Sequence, residues 1–245
     1  MATISSNSHE AAVTDTSRSY RICPSIIAGD FMSMGESIDE LARAGCEHIH
    51  LDIMDGQFVP QITFGEKMVR DVCRRYTEFV DCHLMVSDPA SQAVVCADAG
   101  ADLVIVHLEN FKEWGGARGS LETMLIQLSD LGVQTGVAID GPTADLKALE
   151  PFLPGLDMVL VATGKVGKAG QGMDLDCLNK VKVIRACKAG KDIDIMVDIG
   201  VNPATLKAAV DSGANWFAAS SAVFGHPSGA GAGFTLMNDL LKSYI

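Results

Sequence analysis

The sequence predicts a single-domain (β/α)8 barrel, a closed sheet of eight parallel strands with helices around it. Three observations carry this. From Arg21 onward, short β-rich runs alternate with amphipathic helical stretches. The strand candidates number eight, and 245 residues suit one such barrel. Glycines follow helical runs and precede strands at positions 45, 100, 132, 190 and 213.

In chain order, residues 1–19 are rich in Ser, Thr, Ala and Asn without an apolar run, and are expected to form a flexible tail ahead of a barrel over residues 20–245. A strand over 22–27 opens the sheet, and a helix over 34–44 runs to Gly45. The second strand, 48–53, alternates with period 2, so Ile49, Leu51 and Ile53 share one face and His50, Asp52 and Met54 the other. A helix over 66–76 leads into the strand 79–85. Asp88-Pro89 gives a capping carboxylate followed by proline at the first helical position, opening a helix over 89–99 that ends at Gly100. The strand 103–107 follows, then a helix over 121–131 to Gly132 and the strand 134–139. A helix over 145–152 precedes the strand 158–162. A helix over 175–188 runs to Gly190 before the strand 193–197. Asn202-Pro203 repeats the cap signal and starts a helix over 203–212, with Gly213 ahead of the strand 216–219. A last helix is expected near 235–242. Gly45, Gly100, Gly132, Gly190 and Gly213 all read as left-handed helix ends. A doubly wound open sheet is the competing fold. It would normally carry a Gly-rich phosphate turn after an early strand, which residues 22–29 lack.

Composition narrows the function. The chain is 48% hydrophobic, enough for a large core, and its formal charge of -12 argues against nucleic acid or an anionic membrane as a partner. No run reaches the length of a membrane span. Seven cysteines without a Cys-x-x-Cys pair suit a reduced, cytoplasmic setting.

Barrels gather functional groups at the C-terminal ends of their strands. There the first strand offers Ser25, the second His50 and Asp52, and the third His83 and Met85. The fourth ends in His107 and Glu109, the seventh in Asp198. Two imidazoles and two carboxylates from the second, third and seventh strands can surround one divalent ion, and mixed nitrogen and oxygen ligands suit Zn, Mn, Fe or Co. Plainer roles stay open. His83 is also readable as a core histidine, Asp198 as a helix cap and Met54 and Met85 as core filler. His107 with Glu109 reads as support for the ligands, and His48 is left outside the cluster.

The residues 24–31 (PSIIAGDF), 50–60 (HLDIMDGQFVP), 81–86 (DCHLMV) and 106–109 (VHLE) resemble the signature segments of the ribulose-phosphate 3-epimerase family, and the likeness runs from about Ile22 to Gly225. The resemblance implies a metal held by His50, Asp52, His83 and Asp198, with Asp52 and Asp198 as catalytic acid/bases on opposite faces of a ketose phosphate. It implies inversion at C3, D-ribulose 5-phosphate to D-xylulose 5-phosphate, through an enediolate. Ser25 and His83 would contact the sugar, with Met54 and Met85 as an apolar floor. The phosphate would lie among Gly167, Ala169, Gly170, Gly200, Ser220 and Ser221. A homo-oligomer is expected, as such barrels commonly form one.

The phosphate end departs from the family pattern. A Gly-rich loop after the sixth strand is replaced by residues 166–171 (VGKAGQ), Asp-Gly-Gly by Asp198-Ile199-Gly200, and Gly-Ser by Ser220-Ser221. After the fifth strand, Asp140-Gly141-Pro142-Thr143 stands where Asn-Pro-x-Thr is common. Ile199 matters most, because a β-branched residue resists φ > 0. These changes leave two further readings open: a 3-epimerase of another ketose phosphate, such as a hexulose 6-phosphate, and a sugar-phosphate-binding barrel without turnover.

Overall fold

The computed structural model describes residues 18–113, 121–168 and 170–245. Eight strands form one parallel sheet: β1 (Arg21–Pro24), β2 (His48–Met54), β3 (Phe79–Met85), β4 (Leu103–His107), β5 (Gln134–Asp140), β6 (Met158–Ala162), β7 (Asp194–Asp198) and β8 (Trp216–Ala219). Their order is β1-β8-β7-β6-β5-β4-β3-β2, and a parallel bridge between Ser25 and His50 brings the two ends together. The architecture is the (β/α)8 barrel the alternation predicts.

Nine α-helices are described: α1 (Met34–Arg43), α2 (Glu66–Arg75), α3 (Pro89–Ala99), α4 (Leu108–Glu113), α5 (Leu121–Asp130), α6 (Leu178–Ala186), α7 (Leu206–Asp211), α8 (Ser221–Phe224) and α9 (Ala230–Lys242). Ile49 and Leu51 of β2 and Leu84 of β3 face outward into the apolar layer beneath this ring. The opposite phase points into the barrel, where Leu103, Ile105, Leu160, Met196 and Trp216 pack. Small residues make room for large ones there: a Cβ on Gly136 would lie 2.8 Å from Ile105 Cγ1. On β2 and β3 the inward phase is polar instead, and that asymmetry positions the site.

Several boundaries differ from the sequence reading. The chain leaves β1 at Pro24, and Ile26–Ala28 turn into a 3-10 helix. No α-helix forms over 145–152, where Pro151 and Pro154 leave only 3-10 turns at Leu146–Ala148 and Leu153–Gly155. Asp88 caps α3 as predicted, accepting from Ser91 N. Asn202 instead ties a turn through Ala204 N, so α7 starts only at Leu206. The final helix begins at Ala230, ahead of the predicted start, because Gly231 and Gly233 pack where side chains would clash with Glu40 and Val223. Gly45, Gly100, Gly132 and Gly213 are left-handed. Gly190 is not; it lies in a 3-10 turn, where a Cβ would stand 1.8 Å from Ile184 O. The expected tail falls almost wholly on residues 1–17, outside the described residues.

Candidate active site

Parallel pairing of β2 with β3 sets His48 opposite Phe79, His50 opposite Asp81, Asp52 opposite His83 and Met54 opposite Met85. All eight lie in the inward phase, so they stack as four levels from the floor of the barrel to its C-terminal mouth. β7 brings Asp198 to the third level and β1 brings Ser25 beside it.

His50 from the second level and Asp52, His83 and Asp198 from the third each offer a ligand atom, and the four atoms lie within 4.8 Å of one another. His50 Nε2 and His83 Nδ1 stand 3.3 and 3.1 Å from Asp52 Oδ1, and His83 Nδ1 is 3.7 Å from Asp198 Oδ2. Ser25 donates its hydroxyl to Asp52 Oδ2 at 2.5 Å. Both histidines are fully buried, and His50 Nε2 makes no hydrogen bond. A buried, unpartnered nitrogen facing two carboxylates is what a cation would satisfy, so the donor set fits a metal ion.

A chain of contacts supports His83 from behind. Its Nε2 is 2.9 Å from His107 Nε2, and His107 Nδ1 is 3.2 Å from Glu109 Oε2. Glu109 only accepts, so His107 carries its proton on Nδ1 and receives the His83 Nε2 proton on its own Nε2. That leaves the His83 Nδ1 lone pair free for a bound cation, in place of the hydrogen bond Nδ1 otherwise makes to Asp52 Oδ1 at 3.1 Å. Glu109 Oε1 also accepts from Asp140 N at 3.2 Å.

Electrostatics separate the two central carboxylates. Burial disfavours the Asp52 charge, but His50 and His83 outweigh it and hold Asp52 well below the usual carboxylate range. Burial and the neighbouring Asp52 charge push Asp198 up, to about 6. A bound cation would lower both.

A cavity of about 330 Å³ opens above the cluster. Of the residues predicted to bind substrate, Ser25, Met54, Met85, Gly167, Gly170, Gly200, Ser220 and Ser221 line it, together with Asp52 and Asp198. His83 lies beneath its wall, and Ala169 falls outside the described residues. Lys168 lines the cavity, whereas Lys165 points to solvent. The loops at the β6 and β7 ends carry left-handed residues at Gly167, Gly170, Ile199 and Gly200, with Ile199 at φ 76°. Ile199 therefore takes the conformation its side chain disfavours. Gly200 is obligatory there, since a Cβ would stand 2.2 Å from Met173 N.

Three participants escaped the sequence reading. Asp81 holds both His48 and His50, and period 2 counted back from His83 would have turned it inward. Gln171 receives Lys165 N on Oε1 and donates to Lys168 O, pinning the β6 loop. Asn202 donates to Gly200 O at 2.9 Å. The Asn202-Pro203 pair marked Asn202 only as a helix cap, and no local pattern marks Gln171.

Two carboxylates and two histidines thus converge beneath a mouth cavity of a barrel, in a cluster that could hold a metal ion. The sequence model of the ribulose-phosphate 3 epimerase family matches residues 21–224. Ribulose-phosphate 3-epimerase of Schizosaccharomyces pombe is 35% identical over 226 residues, 91% of this chain and 95% of that protein. The enzyme of Bacillus subtilis is 35% identical over 209 residues, 84% and 92% of the two chains. The chain belongs to the ribulose-phosphate 3-epimerase family, carbohydrate epimerases of the isomerase class. Among solved structures, 3-hexulose-6-phosphate synthase from Salmonella typhimurium matches with a TM-score of 0.67 at 15% identity, covering 92% of this chain and 100% of that one. Thiamine phosphate pyrophosphorylase from Pyrococcus furiosus matches at 0.59 and 14%, over 92% and 97%. Those two likenesses speak for the fold alone.

Proposed function

We propose that the protein is a metal-dependent 3-epimerase interconverting D-ribulose 5-phosphate and D-xylulose 5-phosphate by two-base proton transfer. The observation that carries this reading is the convergence of Asp52 and Asp198, from strands on different sides of the barrel, beneath one cavity and against two buried histidines.

Inverting a carbon beside a carbonyl requires a proton to leave one face and another to arrive on the opposite face. Asp52, aligned by the Ser25 hydroxyl, takes the C3 proton on one side. Asp198 returns a proton on the other, and the steps exchange roles in the reverse direction. A divalent transition ion such as Zn, Mn, Fe or Co, held by His50, Asp52, His83 and Asp198, would supply charge stabilisation for the enediolate oxygens between the two transfers. Met54 and Met85 keep water from that intermediate, with Val59 packed beside them.

The phosphate end of the sugar falls to the backbone N–H groups around Gly167, Gly170, Gly200, Ser220 and Ser221, aided by Lys168. Left-handed residues in succession aim N–H groups into one concavity, and Ile199 keeps that conformation despite its side chain. The seven cysteines are unpaired, which suits a reducing, cytoplasmic compartment. No helix among the described residues is long and apolar enough to cross a membrane.

Proton NMR in heavy water tests the reaction. Incubation with D-ribulose 5-phosphate should remove the C3 proton signal while D-xylulose 5-phosphate grows. No exchange on this sugar, with exchange on a hexulose 6-phosphate, moves the substrate; no exchange on either overturns the assignment.

A further inference from the structure

The floor of the barrel holds a buried network beneath the four clustered side chains. Asp81 is fully buried and faces two imidazoles at once. Its Oδ2 is 2.5 Å from His48 Nε2 and its Oδ1 is 2.7 Å from His50 Nδ1. The first contact is a hydrogen bond; the second is short but bent. His48 is wedged between the rings of Phe79 and Trp216, with centroids 5.0 and 4.8 Å away, and the Arg21 guanidinium covers the outer side of Trp216 at 4.9 Å. Its other nitrogen, Nδ1, is buried without a partner.

We infer that His48 and Asp81 are positioning residues that hold His50 in the one tautomer able to ligate a metal, an inference that rests on the metal reading above. A carboxylate offers only lone pairs, and a ring nitrogen at such distances must carry a hydrogen or be repelled. His48 is therefore protonated on Nε2, which leaves its partnerless Nδ1 as a lone pair rather than an unsatisfied donor. His50 is protonated on Nδ1, so its Nε2 lone pair faces the cluster. The rival tautomer is close at hand, because Asp52 Oδ1 lies 3.3 Å from His50 Nε2 and would accept a proton there. A proton on Nε2 would close the ligand position. Asp81 competes for it from the shorter distance, and His48, locked by its aromatic neighbours, keeps Oδ1 turned toward His50. Partners of this kind beneath a ligating histidine raise metal affinity about 10- to 100-fold.

Two measurements on the full chain test this. Long-range proton–nitrogen spectra of 15N-histidine protein, stripped with chelator, should show His50 with its proton on Nδ1 in the wild type and on Nε2 in Asp81→Asn. Cobalt(II) titration against a competing chelator should show affinity falling about 10- to 100-fold in Asp81→Asn. His48→Phe should weaken binding in the same direction. His48→Gln, which can still donate to Asp81, should restore most of the loss; a merely structural histidine would not be rescued this way. Wild-type His50 protonated on Nε2 overturns the inference without any variant having to fold. So does cobalt binding of unchanged affinity in folded Asp81→Asn and His48→Phe. A wild-type chain that takes up no cobalt overturns the metal reading, and this inference with it.

Discussion

The Thr163 hydroxyl lies 2.7 Å from the carbonyl oxygen of Ile199 and 2.8 Å from that of Asp198, so one side chain clamps the turn in which Ile199 is left-handed. Among the described residues Ile199 is the one non-glycine with positive φ. That conformation costs an L-residue about 1–2 kcal/mol, and it persists where the surroundings over-determine it. Here Thr163 N also donates to Asp198 O at 2.9 Å, and Gly200 O receives both Asn202 Nδ2 and Thr205 Oγ1. Thr163→Val should cost about 1–3 kcal/mol in urea unfolding, because it leaves the Ile199 carbonyl without the hydroxyl that now donates to it, while Asp198 O keeps Thr163 N. The loss should be smaller in an Ile199→Gly background, where there is no strain left to hold. Equal losses in both backgrounds would show that the clamp and the strain are independent.

Either central carboxylate should be indispensable to turnover. Asp52→Asn and Asp198→Asn each keep the side-chain shape while removing a proton acceptor. Each should lower kcat at least ~10²-fold, with circular dichroism unchanged. Near-normal turnover in either variant would break the two-base reading.

Much of this was legible because period 2 is a strict rule. It put His50, Asp52 and Met54 on one face of a strand, and the strand-end rule for barrels then drew in His83 and Asp198 from elsewhere in the chain. Counted back from His83, the same rule also turns Asp81 inward, and His48 shares the phase of His50. What could not be read locally were contacts made by packing. Residues 145–152 are the exception, since Pro151 and Pro154, which leave only 3-10 turns there, are visible in the sequence. Ile199 argued against a left-handed turn that Thr163, Asn202 and Thr205 impose from three separate positions.

Gly190 and Gly45 make that difference measurable. Both precede strands, but Gly45 is left-handed with open space around a hypothetical Cβ, whereas a Cβ on Gly190 would stand 1.8 Å from Ile184 O. Gly45→Asn should therefore cost less than about 1 kcal/mol, since Asn tolerates the left-handed region. Gly190→Ala should cost about 1–3 kcal/mol or more by overpacking. Urea midpoints that rank the pair the other way would refute the close-approach explanation.

Acid stability should depend on Asp55. Burial disfavours its charge, but Ser87 N and Oγ, Gln57 N and Phe58 N all donate to it, holding its pKa at about 2 against an ordinary 3.8. A folded pKa below the unfolded one adds stability that is present above about pH 4 and disappears as pH falls toward 2. At pH 7 the Asp55→Asn variant should melt at lower temperature than the wild type. The two melting curves should converge between pH 4 and 2. Curves that stay parallel over that interval would mean the carboxylate charge contributes nothing.

Removing the metal should cost stability as well as activity, and the two losses should share one cause. His50 Nε2 is buried without a hydrogen-bond partner, and it shares the cluster with the Asp52 and Asp198 carboxylates, whose charges a bound ion would offset. An ion that binds only the folded chain stabilises it by about 2.7 kcal/mol at a free concentration 100 times its Kd. Chelator-treated protein should therefore melt at lower temperature, and zinc, manganese, iron(II) or cobalt should restore the melting point and turnover together at the same concentrations. His50→Ala should melt alike with and without metal, because the ligand that completes the cluster is gone. Turnover that survives exhaustive chelation, with no change in melting, would remove the ion from the mechanism and leave the two carboxylates to act alone.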